Sequence, residues 1–160
     1  MLFDFGLAKE LKKKDLVQAP DSFKTTGLTG SRRYMAPEVV RCDNYGFSVD
    51  VYSFGLVFWE TMALKTPYGK GLSIDKHFQE VVQQGRRPDT SKTRKKISPR
   101  LHSVMEACWS NNPSKRPNFD AICEDLRAEI AYGGTGGEYM GDRTTHLFDK
   151  SICSKASLEC

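Results

Sequence analysis

The chain has 160 residues, of which 39% are apolar and 28% are charged, a composition typical of one soluble globular domain. Its formal net charge of +4 is too mild to indicate by itself a partner such as nucleic acid or a membrane surface. Five scattered cysteines show no paired spacing, which favours reduced thiols in the cytoplasm or the nucleus over a secreted disulfide framework.

The predicted elements begin with a short apolar strand at residues 2–5, which Gly6 ends. Between residues 7 and 31 the sequence has no sustained hydrophobic period and is rich in Lys, Thr, Asp, Pro and Gly, which predicts a long loop. A loop of this length inside a compact domain is usually functional or disordered.

The first predicted helix covers residues 48–64 and carries apolar side chains on every face. Asp50, Ser53 and Glu60 interrupt this stretch, which is too short and too polar to span a membrane. A helix that is apolar all round must be enclosed on all sides. The other predicted helices can cover only part of it, so the sequence predicts an exposed apolar patch that binds a partner or leads to aggregation.

A second helix is predicted over residues 74–84. Ser73 is suited to be its N-cap, and Gly85 is suited to end it. Helical spacing predicts one apolar face, formed by Ile74, Phe78, Val81 and Val82.

Two later helices are predicted from their cap residues and their apolar period. Ser98 precedes a helix that ends near Cys108, and Asn118 precedes a helix over residues 119–132. Residues 133–160 begin with clustered glycines and are predicted to form a Gly-rich linker and a disordered tail.

Four sequence blocks carry the functional information. In chain order they are Asp4-Phe5-Gly6, Gly30 to Glu38 (GSRRYMAPE), Asp50 to Gly55 (DVYSFG) and Cys108 to Pro117 (CWSNNPSKRP). Each block alone is a weak signal, but in this order and spacing they resemble the C-terminal lobe of a eukaryotic protein kinase. The resemblance covers about residues 2–132. It implies a mainly α, partial protein-kinase-like fold in which the N-terminal lobe and the catalytic loop are absent.

The resemblance divides the matched region into an activation segment at residues 4–38 and a helical lobe at residues 39–132. It implies that Asp4 is a ligand of the Mg²⁺ that bridges the phosphates of ATP, because hard cations prefer oxygen ligands. Phe5 is implied to pack inward, and Gly6 to let the backbone turn. Without the other blocks, Asp4 would be interpreted as the solvated aspartate of a turn.

The later part of the activation segment contains candidate phosphorylation sites and a substrate-facing loop. Thr25, Thr26 and Thr29 stand beside basic residues, and a phosphate on one of them could order the loop by pairing with arginine. The substrate-facing loop that the resemblance implies consists of Ser31, Arg32, Arg33 and Tyr34.

The resemblance gives structural roles to three further residues. Glu38 and Arg116 are implied to form a buried ion pair that fastens the end of the activation segment to the helical lobe. Asp50 is implied to hydrogen-bond the backbone of the catalytic loop. An aspartate at a helix start is also favoured by the helix dipole, and both explanations can hold.

The type of kinase is indicated by two of the blocks. Ser31 resembles the Ser/Thr of the substrate-facing loop in serine/threonine kinases, whereas the block Cys108 to Pro117 is shared by tyrosine kinases and tyrosine-kinase-like families. Together they imply a tyrosine-kinase-like serine/threonine kinase. Such an enzyme transfers the γ-phosphate of ATP to protein substrates, with ATP and Mg²⁺ as its cofactors.

The parts of a kinase that precede Asp-Phe-Gly are missing from these 160 residues. They are the Gly-rich loop, the strand lysine and the His-Arg-Asp loop with its catalytic base. None of His77, His102 and His146 opens such a tripeptide. We therefore expect the 160 residues to be inactive alone, Met1 to be an internal or misassigned start, and the missing N-terminal portion or a complementing partner to be required. The alternative is a non-catalytic, kinase-derived binding module.

The basic runs Lys12–Lys14 and Arg86–Lys96 can bind acidic substrates or act as import signals. A run of solvated surface charges is the commoner explanation. The sequence therefore predicts no nucleic-acid partner and no membrane contact for these runs.

Overall fold

Helices dominate the part of the chain that the computed structural model describes, which comprises residues 6–12, 16–18, 22–23 and 30–132. The α-helices are α1 (Pro37–Val40), α2 (Ser48–Ala63), α3 (Ile74–Lys76), α4 (Pro99–Cys108) and α5 (Phe119–Tyr132). The other elements are strands β1 (Leu16–Gln18) and β2 (Ser22–Phe23), short 3-10 turns at Arg32–Tyr34 and Pro113–Lys115, and a π-helix at His77–Gln83. The prediction of a mainly α fold is confirmed.

The hairpin of β1 and β2 was not predicted, because the region 7–31 was interpreted as a loop without regular structure. The strands pair antiparallel, with Leu16 opposite Phe23. Phe23 also exchanges backbone hydrogen bonds of 3.2 and 3.3 Å with Tyr45, and its own side chain is buried. Strands of two or three residues are too short to show a period of two in a sequence. The strand predicted at residues 2–5 lies outside the described residues.

Helix α2 separates two hydrophobic clusters and organises the described part of the fold. Tyr52, Leu56 and Trp59 face the larger cluster, whereas Val51 faces a smaller one. The smaller cluster is completed by Val104, Cys108 and Ile122 of α4 and α5. Because two clusters share this helix, it must be apolar over most of its circumference, as its sequence indicates.

The enclosure of α2 is incomplete among the described residues. Val57 is 50% exposed, and Phe54 and Phe58 are only partly buried. Phe54 stacks on Phe58 with ring centroids 5.9 Å apart and meets Phe119 edge-on at 5.7 Å. An apolar patch, defined here as Phe54, Val57, Phe58 and Phe119, therefore lies on this side of the helix.

The close approach of α2 and α4 depends on Gly55. A Cβ atom at Gly55 would lie 2.7 Å from the Cβ of Cys108, closer than carbon atoms can pack. Glycine is therefore needed at this position for the two helices to lie in contact, and the close contact brings the small cluster together.

The predicted apolar face of the second helix is wrong in two of its residues. Ile74 is 62% exposed and Phe78 is 38% exposed, whereas His77 is buried with Val81 and Val82. The reason is that the segment continues from α3 as a π-helix, His77–Gln83. Each backbone hydrogen bond of a π-helix spans five residues, whereas that of an α-helix spans four. Residues 77 and 82 therefore share a face.

The predicted caps are confirmed in the structure. The hydroxyl of Ser73 accepts a hydrogen bond from the Lys76 amide at 3.2 Å, and the Ser98 hydroxyl accepts one from the Leu101 amide at 3.2 Å. The Asn118 side chain accepts from the Ala121 amide at 2.8 Å. These bonds satisfy amide groups that a helix leaves unpaired in its first turn.

The ends of the predicted helices were also found close to their expected places. Helix α2 ends at Ala63, and the helices predicted to end at Cys108 and residue 132 do so. Gly85 follows the π-helix with a φ of +70°, the left-handed conformation that glycine adopts most readily. The linker and tail predicted at residues 133–160 lie outside the described residues.

Every helix in the described ranges is too short or too polar to span a bilayer.

Candidate functional site

The residues singled out in the sequence fall into two groups. Gly6, Ser31, Glu38, Asp50, Arg116 and the turn Arg32–Tyr34 are described by the structure. The others lie outside the described residues: Asp4, Phe5, Thr25, Thr26 and Thr29. Their assigned roles stay predictions.

The turn Arg32–Tyr34 is fastened to the C-terminal half of α2 and to the loop that follows it. The Arg33 guanidinium donates to the Pro67 carbonyl and, at 2.7 Å, to the Gly69 carbonyl. The Tyr34 hydroxyl donates to Glu60 Oε2 at 2.6 Å. These contacts fix the turn of the predicted substrate-facing loop in one position.

The backbone of this loop is anchored as well. Ser53 Oγ, in α2, donates to the Tyr34 carbonyl at 2.8 Å. The hydrogen bond to the Glu60 carboxylate, with burial and the Glu60 charge adding to it, raises the pKa of Tyr34 above its ordinary value. The phenol therefore stays protonated and remains a donor across the physiological pH range.

Glu38 and Arg116 meet in the interior of the protein. Arg116 Nη1 donates to Glu38 Oε1 at 2.5 Å, and Nη2 donates to Oε2 at 2.9 Å. Glu38 is 4% exposed and Arg116 is 7% exposed. The geometry is the bidentate one in which a guanidinium binds a carboxylate most strongly.

Arg116 also donates two hydrogen bonds to backbone carbonyl groups. Its Nη1 donates to the Ser48 carbonyl at 3.0 Å, and its Nε donates to the Ser110 carbonyl at 2.9 Å. The guanidinium carbon lies 5.0 Å from the centroid of the Tyr52 ring, within the range of a cation–π contact. One side chain thus connects α1, the start of α2 and the segment after α4.

Arg87 is a structural residue that sequence reasoning missed. It was placed in a basic run interpreted as solvated, but it is half-buried, and its guanidinium lies 5.0 Å from the centroid of the Tyr52 ring. Its Nε donates to the Trp109 carbonyl at 2.8 Å, and its Nη2 donates to Asn111. Nothing in the run of cations distinguishes Arg87 from its neighbours, so its structural role could not be inferred from the sequence.

Asp50 lies in the first turn of α2 and faces a cleft. The cleft measures about 450 Å³, and the residues that line it come from 7–11, 35–39 and 45–53. Partial burial raises the pKa of the Asp50 carboxyl above its ordinary value, although the residue retains an exposed surface. The catalytic-loop backbone that Asp50 was predicted to bind is not part of the 160 residues.

The metal ligand predicted by resemblance cannot be placed, because Asp4 lies outside the described residues. Within residues 6–12, 16–18, 22–23 and 30–132, no group of three or more His, Cys, Asp and Glu side chains could hold a metal ion.

His77 is 2% exposed, and its ring meets the Tyr68 ring edge-on with centroids 6.3 Å apart. Its Nε2 has no hydrogen-bond partner among the described residues. Burial lowers the pKa of His77, and the nearby guanidinium groups of Arg32, Arg33 and Arg87 lower it further. The imidazole is therefore held neutral by a locally positive environment.

Comparison with known proteins identifies the family of this arrangement. The protein kinase domain model matches residues 1–126. Serine/threonine-protein kinase STY17 of Arabidopsis thaliana is 35% identical over 151 residues, which cover 89% of this chain and 24% of that protein.

Other relatives include a growth factor receptor and a dual specificity protein kinase. Vascular endothelial growth factor receptor 3 of Danio rerio is 33% identical over 126 residues, covering 77% of this chain and 8% of the receptor. Dual specificity protein kinase shkD of Dictyostelium discoideum is 29% identical over 119 residues, covering 74% of this chain and 15% of that kinase. The chain thus spans no more than about a quarter of the length of these relatives. With the family model matched across most of its sequence, the chain belongs to the protein kinase domain family.

Proposed function

We propose that this chain is the activation segment (residues 4–38) and helical lobe (residues 39–132) of a kinase that phosphorylates serine or threonine in proteins. The observation that carries the proposal is the fastening of the turn Arg32–Tyr34 to α2 and the loop beyond it. A fixed surface of this kind can hold a peptide in one register for phosphate transfer. Ser31 and the name of STY17 support serine or threonine as the acceptor.

ATP and Mg²⁺ are the cofactors in this proposal. Mg²⁺ neutralises charge that develops on the transferred phosphate, and Asp4 is the residue of this chain that would hold it. The protein substrates and the cytoplasm or nucleus as the location belong to the same proposal. The contribution of the described residues is to position the substrate and to keep the loop rigid.

We also propose that residues 1–160 do not transfer phosphate alone and need an upstream kinase segment or a complementing partner. The cleft near Asp50 supports this proposal, because its rim contains Leu7, 67% exposed, and Phe47, 62% exposed. Exposed apolar side chains around a cleft are typical of a surface that another segment covers.

The second candidate is a non-catalytic binding module that uses its helical lobe to hold a protein partner. The apolar patch of Phe54, Val57, Phe58 and Phe119 favours it. The two candidates differ in their response to nucleotide. A kinase lobe completed by its upstream segment is stabilised thermally by ATP and Mg²⁺, whereas a binding module is a folded monomer that nucleotide does not stabilise.

The test compares the purified 160-residue chain with the same chain preceded by its natural upstream coding segment. We expect radiolabelled phosphate to be transferred from ATP only by the longer protein, with phosphoserine or phosphothreonine as the product. Asp4→Asn in the longer protein should abolish the transfer. Phosphotyrosine alone would overturn the acceptor assignment, and transfer by the 160 residues would overturn the proposed inactivity.

A further inference from the structure

Arg32 differs from Arg33 and Tyr34 in the substrate-facing loop, because its guanidinium has no partner in the part of the chain that the structure describes. The Arg33 guanidinium donates hydrogen bonds to two backbone carbonyl groups, and the Tyr34 hydroxyl donates one to Glu60. Arg32 is exposed, and its side chain makes no hydrogen bond or ion pair with any of the described residues. Among the described residues, Arg32 is therefore a cation without a partner, and it lies at the surface that faces the substrate in the proposed function.

The position of Arg32 is fixed even though its side chain is free. The Tyr34 amide donates to the Ser31 carbonyl at 3.1 Å, and the Met35 amide donates to the Arg32 carbonyl at 3.1 Å. These bonds close the 3-10 turn around Arg32, and the side chains on its C-terminal side anchor the turn to α2. A cation on a rigid turn loses little backbone entropy when it binds a ligand.

The surroundings of Arg32 are positive. The guanidinium groups of Arg32, Arg33 and Arg87 all lie close enough to His77 to lower its pKa, and no carboxylate of the described residues opposes them. Glu60 is the carboxylate that contacts this loop in the described part of the chain, and it is bound to the Tyr34 hydroxyl. An anionic group arriving at the loop would meet unpaired positive charge at Arg32.

We propose that Arg32 binds a carboxylate side chain of the protein substrate and makes the kinase prefer an acidic residue near its acceptor hydroxyl. The inference rests on the proposed function and deepens it. A planar guanidinium can bind a carboxylate through two parallel hydrogen bonds, which gives direction as well as charge attraction. Arg32 is then a specificity-determining residue, whereas Arg33 and Tyr34 are positioning residues.

The test uses pairs of substrate peptides that are identical except at one position, where one peptide has Glu and the other has Gln. A pair is made for each of the four positions on either side of the acceptor residue. The protein is the kinase containing this chain with its upstream segment. At one or two positions we expect kcat/KM to be about 3- to 10-fold higher for the Glu peptide, mainly through KM. In Arg32→Gln this ratio should fall to one. In Arg32→Glu it should invert, and a Lys peptide should become the preferred substrate.

Arg100→Gln is the matched control, because Arg100 is an exposed arginine on α4. It should keep the wild-type Glu-to-Gln ratio. A loss of the ratio in this variant as well would mean that general charge, rather than Arg32, attracts the peptide, and would overturn the inference. Equal rates for Glu and Gln peptides in the wild type would overturn it too, while the proposed function would stand.

A binding measurement separates the inference from catalysis. Fluorescence anisotropy of the same labelled peptides, without ATP, should show tighter binding of the Glu peptide to the wild type than to Arg32→Gln, and added salt should weaken the difference. Absence of phosphate transfer together with Arg32-dependent binding would overturn the proposed function alone. Absence of both would overturn the function and the inference.

Discussion

Arg116 binds both carboxylate oxygens of Glu38, at 2.5 and 2.9 Å, although 78 positions separate the two residues in the sequence. Both side chains are buried, and two further hydrogen bonds run from Arg116 to backbone carbonyl groups. A buried charge that loses its partner keeps its desolvation cost without compensation.

Glu38→Ala should therefore lower the free energy of unfolding by about 3–5 kcal/mol. Urea unfolding followed by circular dichroism measures the change. Asp43→Ala is the control, because Asp43 forms an exposed ion pair with Arg41 and its removal should cost no more than about 1 kcal/mol. Equal losses in the two variants would contradict the structural role given to Glu38.

Gly55→Ala should destabilise the protein by pushing α2 away from α4. The new methyl group would lie 2.7 Å from the Cβ of Cys108. Overpacking costs about 1–3 kcal/mol, which exceeds the gain of up to about 1 kcal/mol from replacing a helical glycine. Thermal unfolding tests this, with Thr61→Ala on the exposed side of α2 as the control. A melting temperature for Gly55→Ala at or above that of the wild type would be incompatible with the close helix contact.

Stability should fall as the pH is lowered below about 6.5, the ordinary pKa of histidine, because the pKa of His77 is lowered in the folded state. The unfolded chain then binds a proton that the folded chain resists, so the free energy of unfolding rises with pH until the unfolded histidine is neutral. In His77→Gln this dependence should be weaker. Urea unfolding at a series of pH values between 5 and 8 measures both slopes, and identical slopes would refute the assignment to His77.

Cys108 should resist alkylation in the native protein. Burial raises the pKa of its thiol to about 12, and the thiolate is the reactive species. Cys42 and Cys123 are exposed and should react within minutes under the same conditions. Iodoacetamide labelling at pH 8, followed by peptide mass spectrometry with and without urea, gives the comparison. Native labelling of Cys108 at the rate of Cys42 would mean that the small cluster around α2 opens readily.

Local features of the fold were predictable because their causes are local in the sequence. Ser98 and Asn118 each precede an apolar helical period, and each caps the helix that it was expected to cap. The π-helix was not predictable in this way. Ile74, Phe78, Val81 and Val82 fit the spacing of an α-helix, but the wider turn buries His77 in place of Phe78.

Some parts of the candidate site depend on contacts between residues that are far apart in the sequence. These contacts could not be predicted from composition or from the hydrophobic period. Only the resemblance to the kinase blocks connected Glu38 with Arg116. Arg87 and Arg32 are both arginines beside another arginine, yet Arg87 is bound to the Trp109 carbonyl, whereas Arg32 has no partner among the described residues. That difference depends on which groups the tertiary structure places beside each arginine. It cannot be inferred from the residues that neighbour each arginine in the sequence.

The position of Arg116 has a consequence for synthesis of the chain on the ribosome. Glu38 emerges long before its partner, so its carboxylate must remain in water until residue 116 has left the exit tunnel. Contacts between residues so distant in sequence are slow to form, because a long loop must close first. The segment Pro37–Val40 therefore gains its buried ion pair only late in translation, and chains that stop before residue 116 leave the Glu38 carboxylate without its partner.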